Sequence, residues 1–297
     1  MRIGTIAQHA NIGPTNPNSI FANIIPGRLN DFPIWAWWDF TDPIAVGGGP
    51  TNSNTAANAT ENLQQCDDKG PNNVWLSADS TTKGPQYFTN GGQDNYGYIK
   101  AFNSEVDYML FTNPEDISSR KFTATIIFDM NSTSIGSANQ YFFKLNGSSN
   151  STLEFYWYST MENLFVGLNK DGHTARFAYA TSDDDDIDGQ TGGDYNYNFN
   201  WVTLVLETDG TIKLYMRGKP ITLYQSGTFS DTVIASKGTL SHLFEKESVG
   251  EPVLQLHSSI YEVMMFNDSL SNQQLYNIDM YIKNKYSSYS YGRINGY

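Results

Sequence analysis

The sequence predicts an all-β protein, an antiparallel jelly-roll β-sandwich with an extended N-terminal arm and a short C-terminal helix. Three observations predict it. Aromatic residues make up 14% of the chain and lie among many Asn, Gly, Ser and Thr residues, a mixture that favours strands and turns over helices. Apolar residues recur in short alternating runs, separated by Gly-, Pro- and Asn-rich punctuation. Residues 260–286 read as one buried strand, a tight turn and a single helix. The 297 residues can bury a sizeable core, and all-β sandwiches often run to about 200–250 residues as one domain. We therefore expect one sandwich over residues 34–286, an arm over 1–33 and a tail over 287–297.

The arm comes first. Pro14, Pro17, Pro26 and Pro33 rule out a long helix. Ile20, Phe21, Ile24 and Ile25 are too apolar for a free tail, so the arm is expected to pack on something, its own domain or a neighbouring subunit. Residues 34–40, with Trp35, Trp37 and Trp38, open the sandwich. Residues 41–73 are polar and carry Gly47-Gly48-Gly49-Pro50, so they are expected to be an excursion outside the core. Strand character returns at 74–79, 96–102 and 108–111. Residues 122–130 show the clearest alternation in the chain. Residues 141–145, 152–158 and 164–168 continue the meander. Residues 200–207 and 211–216 form a hairpin about Thr208-Asp209-Gly210, with Asp-Gly at the positions that need positive φ.

The C-terminal segment is the most specific. In 260–266 both faces are largely apolar, and Asn267 to Ser269 supply turn chemistry. Ser271 and Gln274 have the spacing of a capping box, and Leu275, Ile278 and Ile282 then share one helical face.

This ending resembles the C-terminus of the laminin-G-like branch of the concanavalin A-like lectin/glucanase superfamily. The matching residues are Glu262, Val263, Phe266, Asn267, Leu270, Ser271, Tyr281, Ile282, Lys285 and Tyr286. Looser matches lie at Trp38 to Asp42, at 96–102 and at 108–111. At 217–220 Arg217 stands where the family commonly has Asn. The resemblance implies a concanavalin A-like sandwich. It implies little about activity, because such folds host many.

Glycosidases of that superfamily use a strand motif E-x-D-x-x-E, which sets two carboxylates at the separation their chemistry needs. The nearest match, Glu105-Val106-Asp107, has Leu110 in place of the third acid. The chain has no G-x-S-x-G, no phosphate-binding loop and no dinucleotide fingerprint. His9, His173, His242 and His257 are dispersed, and Cys66 is the single cysteine, so an internal disulfide is impossible. These readings point away from an enzyme.

Asp184, Asp186, Asp188 and Gly189 have the alternating-oxygen spacing of a calcium loop, with Asp194 as a further candidate ligand. Tyr195 occupies the twelfth position, where an EF-hand needs Glu. A short calcium loop and a solvated acidic loop both remain open, so calcium is the one cofactor to consider. For sugar binding the candidates are Tyr156, Trp157 and Tyr158, and Tyr195 and Tyr197 in a Tyr-Asn-Tyr-Asn run. The competing reading is that such aromatic faces are sandwich core.

The net charge of −13 repels phosphate backbones, so no nucleic-acid partner is expected. No apolar run is long enough to span a membrane, and residues 1–10 lack the apolar core of a signal peptide. The lectin-like sandwich, the arm and the Asn-rich acidic surface together resemble bacteriophage virion proteins used for capsid decoration, head fibres or tail adsorption. The expected function is thus a non-enzymatic virion protein. Its partners would be other virion proteins or identical subunits through the arm, and host glycans through the sandwich. A glycoside hydrolase or a free carbohydrate-binding module is the rival.

Overall fold

The computed structural model describes residues 32–42, 46–48, 63–78, 85–88, 96–100, 109–111, 121–130, 140–146, 152–158, 163–170, 173–179, 199–207, 211–221, 224–226, 239–243 and 258–286. Within them lie two sheets whose strand pairings are all antiparallel. Strands are numbered in chain order. The first sheet runs β15 (Lys219–Ile221), β14 (Ile212–Met216), β13 (Phe199–Leu206), β8 (Phe122–Met130), β18 (Ser258–Phe266), β6 (Tyr98–Lys100) and β5 (Gln86–Phe88). β1 (Ile34–Asp39) also pairs with β18. The second sheet begins β16 (Tyr224–Ser226), β12 (His173–Tyr179), β11 (Asn163–Lys170), β10 (Thr152–Tyr158) and β9 (Gln140–Asn146). It continues through β17 (Thr239–Leu243), β7 (Met109–Phe111), β4 (Leu76–Ala78), β3 (Leu63–Cys66) and β2 (Val46–Gly48).

The two sheets bury one core between them. Phe122, Ala124, Ile126 and Phe128 from β8 join Val202, Leu204 and Leu206 from β13 in it. The facing sheet supplies Leu63, Cys66, Leu76, Met109, Phe142 and Phe155. Phe128 meets Phe142 across the gap at 5.1 Å between ring centroids, within the range for favourable aromatic pairs. The strict alternation read at 122–130 thus corresponds to a single nine-residue strand. Residues 41–73, expected to lie outside the core, in fact contribute β2 and β3, and Leu63 and Cys66 are fully buried. Two buried apolar residues three apart were too sparse to register as a strand period.

A second apolar layer lies on the outer face of the first sheet. Helix α1 (Asn272–Lys285) covers it with Ile278, Tyr281 and Ile282. The capping box forms as expected: the Gln274 amide donates to the Ser271 hydroxyl, and the Gln274 side chain accepts from the Ser271 amide at 2.9 Å. Leu275 packs at the margin of this layer. Lys283 and Lys285 in the last turn suit the negative end of the helix dipole.

Two β-bulges decide which side chains face the helix. In β18 the register against β8 shifts between Ile260 and Glu262. Tyr261 and Glu262, adjacent in sequence, therefore both reach the helix side, while Ile260, Val263 and Met265 stay in the sandwich core. In β1 a shift between Ile34 and Ala36 leaves Trp35, Ala36 and Trp38 in the core and turns Trp37 toward the helix.

The turn joining β14 to β15 is a two-residue reversal, with Arg217 at φ 50° and Gly218 at φ 77°. Successive positive φ values suit a tight hairpin. A Cβ on Gly218 would lie 2.6 Å from Asp279 Oδ1 of the helix. Gly218→Ala is expected to destabilise the protein by about 1–2 kcal/mol from backbone strain alone, and by more once Asp279 must move. Thermal unfolding followed by circular dichroism measures it, and an unchanged midpoint contradicts it.

Phe32 and Pro33, the last two residues of the expected arm, pack on the sandwich. Phe32 lies 6.2 Å from Phe266 by ring centroids, and the Pro33 carbonyl accepts from the Asn267 amide at 2.9 Å. Ile20, Phe21, Ile24 and Ile25 lie outside the described residues.

Candidate functional site

Three of the four buried acids among the described residues, Asp39, Asp42 and Glu262, join one network beneath α1. Glu262 is fully buried. Its Oε2 accepts from Trp37 Nε1 at 2.9 Å and from the Tyr281 hydroxyl at 2.8 Å. Its Oε1 accepts from the Tyr286 hydroxyl at 2.6 Å and pairs with Lys285 Nζ at 2.8 Å. Lys285 also reaches Asp39 Oδ2, at 2.9 Å. Lys69 Nζ bridges Asp39 and Asp42 at 2.8 and 2.7 Å. Thr41 donates to Asp39 through both its amide and its hydroxyl. Three acids and two lysines thus close one interior network across β1, the loop after β3, β18 and α1.

Burial opposes a charge on Asp39, yet Lys285 and Lys69, with hydrogen bonds from Lys69 and Thr41, outweigh it. Its carboxyl is held well below the usual carboxylate range. Burial likewise opposes the charge on Lys285, but Asp39 and Glu262 overcome it and hold the ammonium above the ordinary lysine range. The Tyr281 and Tyr286 hydroxyls are pushed well up by burial and by the nearby Glu262 carboxylate, so they stay protonated donors. Every charge in this network has an opposite charge within 3 Å. Such closely paired groups tie β1, β18 and α1 together.

The second distinctive feature is the loop after β3. The Asp68 carboxylate accepts three backbone amides, from Trp37 at 2.8 Å, Gly70 at 2.6 Å and Val74 at 2.9 Å. Burial nonetheless moves its carboxyl upward. The Lys69 amide donates to the Trp37 carbonyl at 2.8 Å, and Asn72 Nδ2 to the Trp35 carbonyl at 2.8 Å. The loop therefore satisfies the side of β1 that has no strand neighbour among the described residues. Trp38 Nε1 donates to the Val74 carbonyl at 2.7 Å, so both polar groups of the Val74 backbone are fixed by side chains. Val74 and Leu76 point into the core, and Trp75 between them is 46% exposed.

Glu262, Tyr281, Lys285 and Tyr286 belong to the C-terminal pattern, and Asp39 and Asp42 to its looser match at 38–42, but the pattern does not say that they meet. Lys69 and the Asp68 loop carry no motif. Trp75 was visible only as part of a strand-like segment. Of the residues expected to bind sugar, Tyr156, Trp157 and Tyr158 lie on β10, their backbones opposite Phe165, Leu164 and Asn163 of β11, while their side chains are not among those described. Tyr195 and Tyr197, the calcium candidates Asp184, Asp186 and Asp188, and the partial motif at Glu105 and Asp107 lie outside the described residues.

Similarity to known proteins lies in the fold. The binding domain of Paraclostridial Mosquitocidal Protein 1 superposes with a TM-score of 0.52 at 14% identity, over 80% of this chain and 51% of that one. The binding domain of botulinum neurotoxin DC, solved in complex with rat synaptotagmin II, gives 0.52 at 14% identity, over 84% and 52%. A Trypanosoma rangeli sialidase mutant displaying trans-sialidase activity gives 0.51 at 10% identity, over 86% and 33%. The chain spans about half the length of the toxin domains and a third of the sialidase. At these identities the likeness shows a shared β-sandwich architecture. No family model matches the sequence, and no curated protein matches it.

Proposed function

We propose that this protein is a non-enzymatic recognition and assembly component of a virus particle, whose sandwich binds surface glycans. The observation that carries the non-enzymatic part is the interior network. Asp39, Asp42 and Glu262 are tied by Lys69 and Lys285 into a structural knot, so these acids are spoken for by the fold. The sandwich shared with the toxin binding domains supports a recognition role. The virion assignment rests on resemblance and on the apolar residues of the Pro-interrupted arm, Ile20, Phe21, Ile24 and Ile25, which need a surface to cover them.

Assembly is tested by deleting residues 1–31, which keeps Phe32 and Pro33 on β18. The truncated chain should give the same circular dichroism spectrum as the full chain and should be missing from purified particles that normally contain it. Normal incorporation of the truncated chain would refute the arm's role. Absence of the full chain from particles would refute the virion reading altogether.

A further inference from the structure

We propose that Lys285, Asp39 and Glu262 form a self-condensing site, in which the Lys285 amine and the Asp39 carboxyl join as an amide and one water is lost. The product is a covalent cross-link between β1 and the last turn of α1. It goes beyond the recognition reading and does not depend on it. It is a single event without turnover, so it leaves the non-enzymatic reading intact.

The geometry brings three chemical roles together. Lys285 Nζ lies 2.9 Å from Asp39 Oδ2 and 2.8 Å from Glu262 Oε1. The amine therefore touches one carboxyl that it can attack and another that can take its proton. Asp39 is the electrophile because of its donors. Lys69 Nζ reaches the same Oδ2 at 2.8 Å, and Thr41 donates to Oδ1 through its amide and its hydroxyl. These groups draw electron density from Cγ and face the negative charge that attack places on its oxygens. Glu262 is fully buried and held by Trp37, Tyr281 and Tyr286, which fixes it in place to relay a proton.

The step balances. Nζ bonds to Cγ, and one Cγ–O bond breaks. Of the three ammonium protons, one stays on the amide nitrogen and two leave with the departing oxygen as water. Glu262 ferries a proton from nitrogen to oxygen and ends ionised, as it began. One positive and one negative charge vanish together, so the net charge of the network is unchanged. Amide formation from charged partners is unfavourable in bulk water. Holding the groups in contact supplies effective molarities of about 10⁵–10⁸ M. The rings of Tyr96, Tyr281 and Tyr286, with centroids 5.8, 5.9 and 5.6 Å from Nζ, crowd the amine and limit the access of water. At rest both partners are charged, the Asp39 carboxyl held low and the Lys285 ammonium held high. The neutral amine is therefore rare and condensation is slow. The freshly folded chain carries the ion pair, and the cross-link accumulates with time.

The test follows the full chain by intact mass spectrometry in denaturing solvent, from purification through prolonged warming below the unfolding midpoint. A species lighter by one water should grow in, and proteolysis should yield a branched peptide that joins Asp39 to Lys285. The thermal midpoint should rise with the cross-linked fraction, because the bond closes a loop between residues 246 apart. Glu262→Gln should slow the loss of water about a hundredfold. Lys285→Arg keeps the cation but removes the nucleophile, and should stop it. Far-UV circular dichroism first establishes that each variant is folded. A wild-type mass that never falls overturns the proposal. So does a loss of water that persists in Lys285→Arg, or one that maps to a succinimide at an aspartate. A branch at Lys69 overturns the assignment of the nucleophile, and an unslowed Glu262→Gln overturns that of the relay.

Discussion

Replacing Glu262 with alanine is expected to bring the protein close to unfolding. The carboxylate accepts from Trp37, Tyr281 and Tyr286 and pairs with Lys285. All three aromatic partners are buried, so water cannot take the lost acceptor's place without opening the layer under the helix. Removing one member of a buried ion pair costs about 3–5 kcal/mol. Each stranded donor adds a penalty of about 1–3 kcal/mol, though terms that share one centre do not simply add. Even the lower end is a large part of the about 5–15 kcal/mol that holds an ordinary domain folded. Glu262→Gln keeps one acceptor oxygen but loses the charge and sets an NH2 group against donors that had used the other oxygen, so its stability should fall between wild type and Glu262→Ala. Urea unfolding followed by circular dichroism gives the order. A Glu262→Ala midpoint equal to wild type would show that the helix is held by its apolar face alone.

The second large effect is expected at Asp39, and it depends on pH. Lys69 and Lys285 converge on one carboxylate oxygen, at 2.8 and 2.9 Å. Asp39→Asn leaves Lys69 with Asp42 and Lys285 with Glu262 as remaining partners, so it weakens two charge-assisted hydrogen bonds without stranding either ammonium and should cost about 1.5–3 kcal/mol at neutral pH. The folded-state pKa of Asp39 is depressed, so its stabilisation is complete above the unfolded value of about 3.9 and is lost as pH falls from there through the folded value. Lys285 is raised, so its share is complete below the unfolded value of about 10.4 and fades only as pH climbs through the folded one. The stability gap between wild type and Asp39→Asn should therefore be flat from about pH 5 to 9 and should narrow in acid. Urea titrations at several pH values measure it. A gap that stays constant down into strong acid would mean that the charge on Asp39 contributes little.

Much of the fold was legible because it is periodic. The strand at 122–130, the hairpin strands around 200–216 and the capped helix all follow from alternation, turn residues and cap spacing. What escaped lacks a period. β3 shows a polar surface with only Leu63 and Cys66 buried. β15 contains Pro220, which argues against a strand except at a sheet edge, and the edge is where it lies. The interior network was half legible: Glu262, Tyr281, Lys285 and Tyr286 stand in the C-terminal pattern, but the pattern does not say that they meet. Glu262 looks like an interruption in an apolar run until Trp37, 225 residues away, and the final turn of the helix are brought to it. The exposure of Trp75 was equally hidden, since alternation says that neighbours differ in face but not which of them faces water.

Because β1 pairs with β18 and with no other strand among the described residues, the first described strand of the sandwich must wait for the last. At roughly 5–20 residues per second, the 225 residues between Trp37 and Glu262 take about ten to forty-five seconds to synthesise. Throughout that interval a ribosome-bound chain carries three tryptophans of β1 with no ladder to join and no helix to cover them. Contacts of such separation also make folding slow once the chain is released. The nascent chain is therefore expected to expose these rings until β18 emerges, and a premature stop before β18 is expected to yield an aggregation-prone fragment in place of a smaller domain.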